Sequence, residues 1–143
     1  MNQQNKEILE NVYKQLALAF DGVLSWKWDN RFETILAEFT ADNKDRIRST
    51  LEQYLGHTWD SSTVANAPLI VKTVTNRLGG LMPGQLFFTS DPDLEPFMFG
   101  AWWPWGDGQT ISIRLAPAGE KSSDSEKAEQ ISRFRDWFDL EGY

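Results

Sequence analysis

The chain has 143 residues, of which 41% are hydrophobic and 24% charged, with no cysteine and a net charge of -7. This length and composition predict a single globular domain over residues 1–143 that needs no covalent staple, and they exclude disulfides, thiolate metal sites and cysteine nucleophiles. The acidic balance argues against nonspecific nucleic-acid binding. The polar start from Met1 to Glu7 and the lack of any apolar run of about 18 residues predict a cytoplasmic chain with no membrane partner.

From Glu7 to Phe20, Leu9, Val12, Tyr13, Leu16 and Phe20 recur at helical spacing, so an amphipathic helix is expected there, ended by Asp21-Gly22. Leu24, Trp26 and Trp28 alternate with polar residues and predict a short strand over 23–28. Over 31–39 the spacing of Phe32, Ile35, Leu36 and Phe39 after an Asn30/Glu33 capping box predicts a helix, although Asp29-Asn30 also suits a hairpin turn. Asp42 is the expected N-cap of a helix that buries Ile47, Leu51, Tyr54 and Leu55 and stops at Gly56. A third helix is expected from Pro68 to Leu78, before Gly79-Gly80.

Beyond Pro83-Gly84 the pattern becomes that of strands, first over 85–89 and then as a 97–103/109–115 hairpin. Pairing Ala101 with Ile111, Phe99 with Ile113 and Phe97 with Leu115 gathers the large aliphatic residues on one side with Trp103. Met98, Gly100, Trp102, Thr110, Ser112 and Arg114 are then expected on the other, weakly covered side. Residues 116–127 have the composition of a flexible linker, and Ser123 and Glu126 form a capping box for an amphipathic C-terminal helix with Ala128, Ile131, Phe134 and Phe138 inward. The predicted fold class is α+β, a small antiparallel sheet of three to four strands packed against several helices.

Catalytic and metal-binding patterns are sparse. The single histidine, His57, has no nucleophile elbow to serve, and one histidine without cysteine does not furnish a transition-metal site. Asp91, Asp93 and Glu95 alternate as calcium ligands do but lack the glycine and distal glutamate of an EF-hand, and Pro92 and Pro96 read as a rigid turn. Gly79, Gly80 and Gly84 follow a helix instead of leading into one, which is the wrong end of the dipole for phosphate. No catalytic residue, metal or cofactor is expected.

Seven tryptophans in a chain this short are the unusual feature. Trp102 and Trp105 are expected at the surface, where they would be covered by the protein itself or a second copy, or would bind a protein partner or a small ligand. The leading expectation is a noncatalytic protein-binding domain of adaptor, chaperone-like or inhibitor type, using Trp102 and Trp105. The alternative is a small-molecule binding protein or unorthodox enzyme with a pocket formed by Trp26, Trp28, His57, Trp59, Arg77 and Trp103.

Overall fold

The computed structural model describes residues 3–119 and 123–138. Among the described residues the fold is α+β, with four α-helices and one antiparallel sheet whose six strands exceed the expected three to four. Helix α1 (Gln3–Phe20) leads into β1 (Lys27–Asp29) and β2 (Thr34–Thr40), then α2 (Lys44–Tyr54), β3 (His57–Trp59) and α3 (Leu69–Arg77). Strands β4 (Leu86–Thr89), β5 (Phe97–Pro104) and β6 (Thr110–Ala118) follow, and α4 (Asp124–Trp137) closes the order. Across the sheet the strands run β1-β2-β6-β5-β4-β3, so the long β5–β6 hairpin is central and β1 and β3 are the edges. Among the described residues no helix is long and apolar enough to cross a membrane.

Residues 31–39, expected as a helix, form a turn and then β2. Strand β2 is buried on both sides from Thr34 to Ala37, and the pattern mimics helical spacing because only Glu38 and Thr40, near its end, are exposed. Asp29 makes the turn by accepting the Arg31 backbone N–H at 3.1 Å. The strand expected over 23–28 contracts to β1, and Asp42 sits within a 3-10 turn over Ala41–Asn43 instead of capping α2. Much of the stretch read as linker is regular structure: 116–118 extend β6 and 124–127 begin α4, while 120–122 lie outside the described residues. The Ser123/Glu126 capping box is present as expected.

The main correction concerns the hairpin register. Trp102 pairs with Ile113, Gly100 with Leu115 and Phe99 with Ala116, three residues displaced from the expected pairing. An odd displacement turns one strand over relative to the other. Met98, Gly100 and Trp102 therefore share a side with Ile111, Ile113 and Leu115, not with Ser112 and Arg114. Trp102, expected at the surface, is 5% exposed, with Phe39 at 5.3 Å and Phe88 at 6.1 Å between ring centroids. On this side α1 packs against β5, and Leu55 at the end of α2 comes close over Gly100.

The opposite side carries Phe87, Phe99, Ala101, Trp103, Arg114 and Ala116, with Phe87 and Phe99 stacked at 5.3 Å. Val74 and Leu78 at the end of α3 approach Phe99 and Ala116 there. Both sheet sides are thus covered by helices, which is why β5 is buried from Phe97 to Trp102 without alternation.

Two predictions test this packing. A Cβ on Gly100 would lie 3.0 Å from Leu115 Cδ2 and 3.5 Å from Leu55 Cδ1, whereas one on Gly106 would meet nothing within 4 Å. Gly100→Val should therefore lose about 1–3 kcal/mol in urea denaturation and Gly106→Ala less than about 0.5. The Thr89 hydroxyl is fully buried with no hydrogen-bond partner among the described residues, so Thr89→Val should gain roughly 1 kcal/mol in the same experiment.

Candidate functional site

A cavity of about 440 Å³ opens on the α3 side of the sheet, between α3, α4 and the β1–β2 turn. Its floor is Phe99 of β5 with Ala116 and Ala118 of β6. The small residues at 116 and 118 leave the space, because Phe99 and Ala116 are cross-strand partners and only one of them is large. Helix α3 adds Val74, Leu78 and, at its last turn, Arg77.

The β1–β2 turn contributes Arg31, Phe32 and Glu33. It is held down by the partly buried ion pair between Arg114 Nε and Asp29 Oδ2, 3.0 Å apart. The Arg114 guanidinium lies 4.3 Å from the Trp103 ring centroid and 5.4 Å from that of Phe32, and the two rings meet edge to face at 5.7 Å. Arg31 covers Phe32 at 4.9 Å. Trp103 thus serves as an anchor for the turn.

Helix α4 supplies Lys127, Gln130 and Ile131. It docks through Phe134, 5.1 Å from both Tyr13 and Phe138, and through Glu10 of α1, which accepts from Arg133 at 3.1 Å and from Trp137 Nε1 at 3.3 Å. The buried stripe is Gln130, Phe134 and Phe138, not the expected one through Ala128, which is exposed. Gln130 is 5% exposed, and its Oε1 accepts the Tyr13 O–H at 3.2 Å. Burial, aided by the Glu10 carboxylate, pushes the Tyr13 hydroxyl well above its ordinary pKa, so it remains a donor. The amide nitrogen of Gln130 makes no hydrogen bond with the described residues, on a side chain that borders the cavity.

The rim is cationic. Arg31, Arg77 and Lys127 border the cavity against one carboxylate, Glu33, among the described lining residues. A second, more open hollow between Trp28, Asn30 and α4 shares Glu33, Lys127 and Ile131 with it.

Of the six residues expected to form a pocket, Arg77 alone lines this cavity, and Trp28 borders the second hollow. Trp26 packs edge-on against Phe20 and Phe138. His57 and Trp59 stack on each other at 5.7 Å on the edge strand β3, and Trp103 anchors the turn. Trp105 remains at the hairpin tip, 46% exposed, in a loop that Asp107 orders by accepting the Gln109 and Thr110 backbone N–H groups. Phe99, Gln130, Arg31 and Lys127 were not anticipated. Gln130 alone carried a signal, as a polar residue in i, i+4 register with Phe134 and Phe138.

Among the described residues no group of three or more His, Cys, Asp or Glu side chains could hold a metal ion. Comparison with protein-family models, curated proteins and solved structures finds no match for this chain.

The Tyr13–Gln130 bond is testable through stability. Tyr13→Phe should cost about 1–3 kcal/mol near neutral pH, because it strands the Gln130 carbonyl. Since folding raises the Tyr13 pKa, its contribution is complete below about pH 10, the unfolded value, and is lost as pH rises towards the folded one. Urea titrations from pH 8 to 11 should show the native protein losing stability more steeply than Tyr13→Phe.

Proposed function

We propose that this chain is a noncovalent small-molecule-binding domain whose ligand sits between α3, α4 and the β1–β2 turn. The observation that carries the reading is Gln130. A glutamine side chain whose carbonyl is held by Tyr13, and whose amide nitrogen makes no hydrogen bond with the described residues, borders a cavity floored by Phe99 and leaves a donor for a ligand. Binding sites are typically cavities of about 300–1,000 Å³, mainly apolar, with a few placed polar groups, and this one has that size and composition.

A second reading, docking of a protein partner through the hairpin tip, is supported by Trp105. Its exposed indole stands in an ordered loop, and such aromatics anchor interfaces. With Trp102 in the core, that surface lacks the aromatic pair expected from the sequence.

The two readings separate experimentally. In an NMR fragment screen, amide shifts should concentrate around Phe99, Ala116, Val74 and Gln130. Ala118→Trp, which fills the cavity from the end of β6, should weaken the hits by about tenfold or more, whereas Trp105→Ala should leave them in place. Hits scattered over the surface, or clustered at the hairpin tip, would contradict the cavity reading.

A further inference from the structure

We infer that the ligand of this cavity is an organic acid, an apolar body bearing a single carboxylate or sulfonate-like group. The inference rests on the cavity reading above and adds the charge and polarity of what enters. The chain as a whole carries 21 acidic and 14 basic residues, yet the described residues bordering the cavity supply three cations and one carboxylate. Arg77 is already engaged, so Arg31 and Lys127 are the cations that the described residues offer a ligand at the mouth of this apolar recess. Arg31 and Lys127 form no ion pair with the described residues. They approach from two separate elements, the β1–β2 turn and the first turns of α4.

The interior separates this ligand class from others. Phe99, Ala116, Ala118, Val74 and Leu78 offer an apolar body nothing but contact, and Gln130 is the buried polar group at the wall. A sugar or a free nucleotide would leave most of its hydroxyls or phosphate oxygens unpaired against such a floor. A cationic ligand would meet the rim with like charge. An acid with a hydrocarbon or aromatic body places its charge at the rim and its body on Phe99, with an acceptor within reach of the Gln130 amide. Glu33 opposes the anion, so its neutralisation should favour binding.

The test uses two probes with the same ring skeleton, the anionic 8-anilinonaphthalene-1-sulfonate and the neutral N-phenyl-1-naphthylamine, titrated by fluorescence. The sulfonate is expected to bind about tenfold more tightly, with that preference shrinking as ionic strength rises. In Arg31→Gln/Lys127→Met the ratio of the two affinities should fall about tenfold, and in Glu33→Gln it should rise. Circular dichroism confirms that these surface variants fold, and Ala118→Trp shows whether each probe occupies the cavity. If both probes are displaced by Ala118→Trp but bind equally, or if the double variant leaves the ratio unchanged, the acid assignment is overturned while the binding reading stands. If Ala118→Trp weakens neither probe, the binding reading fails and this inference with it.

Discussion

The pairing of Trp102 with Ile113 across the central hairpin decides which side chains enter each layer of this protein. Because strand side chains alternate, that one alignment sends Met98, Gly100 and Trp102 towards the α1 and α2 side, and Phe97, Phe99 and Ala101 towards α3. Gly100 follows from it, since Leu115 and Leu55 leave little room above that position. The cavity follows too. Placing Phe99 beside Ala116 creates a large aromatic next to an empty step, which α3 and α4 border without filling.

Much of the helical architecture was legible in the sequence, because α1 and α3 each carry a one-sided apolar stripe and a glycine stop. The capping box of α4 was equally readable, as a local motif whose partners are three residues apart. The differences at β2 and in the β5–β6 hairpin share one physical origin. Strand β5 from Phe97 to Trp102 and β2 from Thr34 to Ala37 are buried on both sides, so their apolar residues carry no alternation from which to read a side. Reading the hairpin as part of a one-sided sheet gives a register three residues away from the observed one and puts Trp102 at the surface.

The site was legible only in fragments. Tryptophan abundance drew attention to rings that turn out to be structural: Trp102 fills the core, Trp103 anchors the β1–β2 turn through Arg114, and Trp26 wedges between α1 and α4. Arg31, Arg77, Lys127 and Gln130 are separated by up to about a hundred positions and converge only through the fold, so no local spacing could have grouped them. The cationic mouth also disappears in a sequence-wide net charge of -7. Fold and proposed function are linked at α4, where Tyr13 and Phe134 hold the helix in place and Gln130 is carried to the cavity wall.

Since the layer assignment, the buried Trp102 and the cavity floor all depend on the hairpin alignment, the most direct measurement is the cross-strand NOE pattern between β5 and β6. Contacts of Trp102 with Ile113 and of Phe99 with Ala116 are expected. Contacts of Ala101 with Ile111 and of Phe99 with Ile113 would contradict this alignment, returning Trp102 to the opposite side and removing the step that forms the cavity.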